Sequence, residues 1–253
     1  MSVKIKNKSE ISKMSACGKI IAEVRELIIK NIEPGISTWE LDKLAEEYTV
    51  SKGFVPAFKG YQNFPSSICA SINDEVVHGL PSKNKVLKNG DIIGIDFGVF
   101  DGTFYADSAF TFGVGNVDEE VTKLLHVTKS SLEKGIDKAV VGNKIYDISK
   151  AIQDYIESYG FSVVRTYVGH GIGRNLHEEP HVPNFILSKK DRSSSIKLKE
   201  GMVLAIEPMV NTGDYEVELS DDKWTVKTKD GSLSAHFEHT VAITKDGPKI
   251  LTN

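Results

Sequence analysis

The chain has 253 residues, of which 40% are hydrophobic, 8% aromatic and 26% charged, a composition that supports a buried core and excludes a disordered or fibrous chain. A net charge of −4 provides no broad basic surface, so nucleic acid is not an expected partner. The two cysteines, Cys17 and Cys69, make no disulfide framework, and no stretch reads as a secretory signal or a membrane span, so a reducing, cytoplasmic setting is expected.

In chain order, Met14, Cys17, Ile21, Val24 and Ile28 recur at steps of three and four, which predicts an amphipathic helix over 10–30 that Pro34 and Gly35 end. Ser37 and Glu40 form a capping box for a second helix, with Leu41, Leu44, Ala45 and Tyr48 on its inner face and Gly53 as its stop. Two strand-like runs, 91–98 and 102–107, follow on either side of Asp101-Gly102, a strong hairpin signal. With those two residues as the turn, Asp96 lies directly opposite Asp107. Like charges so opposed destabilise a strand pair unless a shared proton or a divalent cation compensates. Ile92, Ile93, Ile95, Phe97, Phe104 and Phe110 surround the pair with apolar side chains, which argues against a solvated polar face.

The order then repeats. Val121, Leu124, Thr128, Leu132 and Ile136 mark one helical stripe, and Ile148, Ile152, Tyr155 and Ile156 mark another that stops at Gly160. A shift of 107 positions pairs Gly35 with Gly142, Trp39 with Tyr146, Tyr48 with Tyr155, and Gly53-Phe54 with Gly160-Phe161. The segment 88–96, ending on Asp96, reads like 199–207, ending on Glu207. These matches predict an internal duplication: an α+β chain of two related halves, roughly 1–115 and 116–253, whose antiparallel strands meet in a shared sheet flanked by helices.

The second half supplies matching chemistry. Glu207 ends the apolar run 202–206, and Glu238 interrupts the apolar run 235–243. Single buried acids are rare without a partner, and four of them, two per half, point to a common site. His170, in Gly169-His170-Gly171-Ile172-Gly173, offers a nitrogen ligand. The segment His177-Glu178-Glu179-Pro180-His181 matches the H-E-x-x-H pattern of zinc proteases, but Pro180 is incompatible with the single helix that pattern needs, so His181 is set aside. The glycines at 169, 171 and 173 lack the spacing of a dinucleotide site.

Together 71–79, Ile95-Asp96-Phe97, Tyr105-Ala106-Asp107, 169–173 with 177–180, Ala205-Ile206-Glu207-Pro208 and Glu238-His239-Thr240 resemble the methionine aminopeptidases, over nearly the whole chain. The resemblance implies a single metallopeptidase domain, 1–253, of the duplicated "pita-bread" fold. It implies two divalent metal ions (Fe, Mn, Co or Zn) held by Asp96, Asp107, His170, Glu207 and Glu238, with Asp107 and Glu238 bridging. Glu207 would relay a proton, His78 and His177 would contact substrate, and Tyr61, Phe64, Cys69, Leu176 and Trp224 would form the methionine slot. The implied reaction is attack by a hydroxide, generated at the metals, on the first peptide bond of a chain with a small second residue. The implied partners are nascent polypeptide N-termini, with docking at the ribosome, and the expected state is a monomer without nucleic acid or membrane.

Leu176 stands where the family often has an aromatic, and Gly98 where it often has a hydroxyl residue. Glu207 and Glu238 are only 31 positions apart, which leaves no room for the helical insertion of type 2 enzymes and resembles the short type 1 form of bacteria. Two other readings compete. Enzymes that cleave before proline use the same five ligands but usually carry an additional N-terminal domain, for which a first helix beginning near residue 10 leaves no space. Metal-free binding proteins on this scaffold lose ligands, whereas all five are present here.

Overall fold

The computed structural model describes residues 3–186 and 195–253. The first half contains α1 (Lys8–Ile29), α2 (Thr38–Ser51), β1 (Val55–Pro56), β2 (Cys69–Ile72), β3 (Glu75–Val77), β4 (Ile92–Phe100) and β5 (Tyr105–Gly113). The second contains α3 (Glu119–Asp137), α4 (Ile145–Ser158), β6 (Ser162–Val163), β7 (Gly169–Gly171), β8 (Glu178–Val182), β9 (Val203–Ile206) and β10 (Met209–Asn211), and then β11 (Val217–Leu219), β12 (Val226–Thr228), β13 (Ser234–His236), β14 (His239–Thr244) and β15 (Gly247–Ile250).

Three helices begin at capping residues legible in the sequence. Asn7 with Glu10 and Ser37 with Glu40 close capping boxes on α1 and α2, and the Asp118 side chain accepts the Val121 N–H at the start of α3. The stripes read from the sequence face inward: Met14, Cys17, Ile21, Val24 and Ile28 are buried on α1, as are Val121, Leu124, Thr128, Leu132 and Ile136 on α3. The α1–α2 pair packs on β4 and β5, and the α3–α4 pair on the strands of the second half, so each half has a main apolar core, and a third cluster with Met14, Phe64, Leu176 and Val203 joins the two. Phe237 packs against both cores at the seam between the halves.

The duplication extends from sequence to hydrogen bonding. Gly53 and Gly160 follow α2 and α4 with φ of +80° and +81°, a left-handed turn that favours glycine. The pairing of Val55 with Phe100 is matched by that of Ser162 with Asn211, and the isolated bridge between Ser37 and Val86 by that between Lys144 and Lys197. The long strand β4 corresponds to β9 and β10 together, and β5 to β13 and β14 together. In the second half the paired positions run from Ala242 opposite Val203 to Ser234 opposite Asn211, with a gap at Glu207-Pro208 and Phe237-Glu238.

That gap divides what the sequence predicts as one shared sheet. The described strands form four sheets: β1, β2 and β5 on β4; β13-β10-β6; β11-β12-β3; and β15-β14-β9-β7-β8. Across the seam between the halves, hydroxyls replace a regular ladder. Ser108 Oγ donates to the Glu238 carbonyl at 2.6 Å, Thr111 Oγ1 donates to the His236 carbonyl at 2.8 Å, and Thr240 Oγ1 donates to the Asp107 carbonyl at 2.8 Å. The β5 edge and the 236–240 segment are thereby fixed together, which sets the distance between the acids they carry.

The predicted hairpin register is corrected by two residues. In the structure Asp96 pairs with Ala109 and Asp107 with Gly98. The connection spans 101–104 because Asp101 Oδ1 accepts the N–H groups of Thr103 and Phe104, both at 2.7 Å, in place of a two-residue turn. Side chains alternate with period two, so this slip leaves Asp96 and Asp107 on the same face as diagonal neighbours.

Candidate metal centre and peptide pocket

Four acids and a histidine converge from five strands or their flanks. Asp96 and Asp107 project from the middle of β4 and the start of β5, Glu207 follows β9, Glu238 precedes β14, and His170 lies at the centre of β7. His170 pairs with Ala205, two residues before Glu207 on the same face. The ligand atoms of Asp107, His170 and Glu238 lie within 4.8 Å of one another, and His170 Nε2 is 3.5 Å from Glu207 Oε1. The other ring nitrogen, Nδ1, lies 2.9 Å from the Gly171 carbonyl, which makes it the donor and leaves Nε2 free toward the acids.

Burial makes this arrangement costly without a cation. Asp107, Glu238 and His170 are 4%, 2% and 7% exposed, and Asp96 Oδ1, Asp107 Oδ1 and Glu238 Oε1 are buried without a hydrogen-bond partner. Burial pushes the Asp107 carboxyl up to about 7. Burial and mutual repulsion raise Asp96, Glu207 and Glu238 well above the carboxylate range. Burial also lowers His170 to about 3, so its imidazole is neutral, the form that ligates metal. Orphaned oxygens beside a neutral imidazole are a donor set that divalent cations fit.

A cavity of about 540 Å³ opens over this cluster, and all the residues read from the sequence as ligands, substrate contacts or slot residues line it. Cys69 pairs with Asp96 across β2 and β4, which puts the thiol on the acidic face. Burial raises that thiol well above its usual range, so it is a neutral wall residue. Phe64 meets Trp224 edge to face at 5.2 Å between ring centroids, and Leu176, 2% exposed, packs into the same apolar cluster. Gly98 has a physical reason here: a Cβ would fall 2.8 Å from the Phe58 ring and 2.9 Å from Ala57, so glycine lets Phe58 close the slot.

His78 and His177 stand on the other side. His78 has a φ of +58°, a left-handed conformation uncommon outside glycine, and its ring meets Tyr167 edge to face. Burial and the neighbouring His177 lower its pKa to about 4. His177 Nδ1 lies 2.8 Å from the Tyr61 hydroxyl, and its ring centroid is 4.2 Å from that of His170.

The H-E-x-x-H segment is a strand from Glu178 to Val182, with His181 paired to His170 on β7, so the helical zinc motif is absent. Sequence reading missed His236. It is 4% exposed, lines the cavity, and has its Nε2 unpartnered at 3.8 Å from Glu207 Oε2. The available signal was its spacing, two residues before Glu238 in an extended run and therefore on the same face.

Fold and donor set together define a metallopeptidase. Residues 12–245 match metallopeptidase family M24, and the chain belongs to that family. It is 52% identical over 248 residues to methionine aminopeptidase of Clostridium acetobutylicum, covering 98% of each chain, which ties it to the short bacterial form of that enzyme. The crystal structure of methionine aminopeptidase from Thermotoga maritima superposes with a TM-score of 0.96 at 45% identity, covering all of both chains. An Xaa-Pro dipeptidase from Bacillus anthracis shares the fold alone, with a TM-score of 0.76 at 22% identity, over 98% of this chain and 62% of that one. Among the described residues, no helix is long and apolar enough to cross a membrane.

Proposed function

We infer that the chain removes the N-terminal methionine from nascent proteins and peptides whose second residue is small, as a divalent-metal-dependent aminopeptidase. The observation that carries this reading is the convergence of four buried acids with orphaned oxygens on His170, at the floor of a pocket with an apolar end. Asp96, Asp107, His170, Glu207 and Glu238 would hold two metal ions, with Fe, Mn, Co and Zn all compatible with mixed carboxylate and imidazole donors. Ions held there would lower the pKa of water toward about 7 and would polarise the scissile carbonyl.

The chain's own residues do the rest. Glu207, 13% exposed and beside His170, takes a proton at its carboxylate and returns it to the leaving amine nitrogen. His78 is neutral at pH 7 and donates an N–H toward the carbonyl oxygen as negative charge develops there. Tyr61 engages His177 Nδ1 and thereby turns Nε2 toward the substrate. Phe58, Phe64, Cys69, Leu176 and Trp224 enclose an unbranched thioether side chain and exclude water from it.

The same reading treats the chain as one catalytic domain of two halves, about 1–115 and 116–253, acting as a cytoplasmic monomer on chains emerging from the ribosome. The matched ladders of the halves, and the core cluster that joins them, support the first point. The test is cleavage by protein reconstituted with each metal under anaerobic conditions. Methionine is expected to be released from peptides beginning Met-Gly or Met-Ala and not from Met-Leu. Indifference to the second residue, or cleavage only before proline, would contradict the reading.

A further inference from the structure

The segment before α1 belongs to the site. Lys6 is anchored by its backbone, where its N–H donates to the Gly201 carbonyl at 2.7 Å, and its side chain is 5% exposed. Its ammonium donates to Glu178 Oε2 at 2.7 Å, and the Glu178 side chain is 2% exposed. The other carboxylate oxygen, Oε1, closes the turn behind it by accepting the N–H groups of Arg174 and Asn175 at 3.0 and 3.2 Å. Lys4 also reaches Oε1, at 3.4 Å, but is half exposed. Gly173 makes the approach feasible: a Cβ there would fall 2.4 Å from Lys6 Cε. On the far side of the turn the Gly173 carbonyl accepts the Tyr105 N–H at 2.8 Å, and Arg174 reaches Glu10 of the α1 capping box at 3.0 Å.

This turn carries Leu176 and His177, and Glu178 is bonded to His177 in the chain. The Glu178 carboxylate therefore pins the loop, and Lys6 is the buried cation that keeps this carboxylate ionised. Removing the ammonium leaves a buried anion short of a counter-charge, a state relieved by opening the turn. We propose that Lys6 is a positioning residue for peptide cleavage, fixing through Glu178 the 173–178 turn that presents Leu176 and His177 to substrate. The proposal rests on the aminopeptidase reading above. Neither Lys6 nor Glu178 belongs to the metal donor set, so the effect is separable from metal loading.

The experiment compares Lys6→Met, Glu178→Gln and the double variant with the parent protein. Five quantities are read: kcat and KM on a Met-Ala-Ser tripeptide, zinc affinity by calorimetry, thermal unfolding, and the His177 imidazole resonances of the zinc-loaded, diamagnetic protein. Each single change is expected to lower kcat/KM about tenfold, within the loss that a misplacement of about 1 Å produces, and the double variant is expected to fall no more than about twofold further. Zinc affinity should stay within about twofold of the parent while the His177 resonances shift. Unchanged kinetics and resonances in Lys6→Met would overturn the proposal. So would losses that multiply in the double variant, or a loss that follows the unfolded fraction and disappears on cooling. The resonance shift needs no turnover, so failure of the parent to cleave methionine would sink the aminopeptidase reading and leave the positioning of His177 still measurable.

Discussion

The two halves build the same four positions and fill them differently. In the first, β4 and β5 pair without a break, and the site face carries Asp96 opposite Ala109 and Gly98 opposite Asp107. In the second, the matching positions are Glu207 across from Glu238 and Met209 opposite His236. His236 is thus the counterpart of Asp107, and Ala109 that of Glu238. Where the acids are diagonal the ladder closes. Where they face each other it opens for two residues on each strand, where Pro208 has no N–H to donate and directly opposed like charges repel. Duplication supplied the geometry, and substitution at equivalent positions made an asymmetric donor set from it.

The largest effect is expected at Glu207, which lies 3.5 Å from His170 and to which the proposed function assigns both a metal-facing oxygen and the proton transfer. Glu207→Gln should lower kcat by on the order of 10³-fold with the unfolding transition retained, and near-parent turnover would remove the proton-relay role.

Next is Ala109→Glu, which copies the second half's facing acids into an unbroken ladder. Like-charge repulsion and overpacking at a 3% exposed residue should destabilise the metal-free protein by roughly 2–3 kcal/mol in chemical denaturation. Unchanged stability would mean that the opening in the second half has another cause.

The buried acids also fix a pH dependence. Asp107 is raised to about 7 by burial, and Asp96, Glu207 and Glu238 are raised well above their unfolded range. Raised carboxyl pKa values stabilise the metal-free fold below about pH 4, and that stability is lost as pH rises through the folded values. Metal binding needs the ionised acids and offsets the loss, so manganese should raise the unfolding temperature more at pH 8 than at pH 5.5. Equal increments at both pH values would contradict the assignment of these acids as ligands. The smallest change is expected at His236, which lines the cavity beside Glu207. His236→Leu should weaken metal binding about tenfold by calorimetry, with His236→Gln retaining most of the affinity.

Much of this was legible in the sequence because side-chain periodicity is robust. The Asp101-Gly102 turn signal gave the wrong pairing, yet an error of two residues keeps a strand's face, so Asp96 and Asp107 still meet. Pro180 ruled out a helix at 177–181, and the structure has a strand there. His236 and Lys6 were harder to read. His236 gains meaning from its place in a register 27 residues away from Met209, and Lys6 from a carboxylate 172 positions distant. The first leaves only the two-residue spacing to Glu238 as a local pattern, and the second leaves none.

On the proposed function, the two unequal hairpins and His170 together hold two metal ions. Crystals grown with manganese and measured at its absorption edge would locate them. Two anomalous peaks are expected in the cavity, with donors drawn only from Asp96, Asp107, His170, Glu207 and Glu238. No peak there, or a peak held by His181 or His236 in place of one of those five, would contradict that donor set.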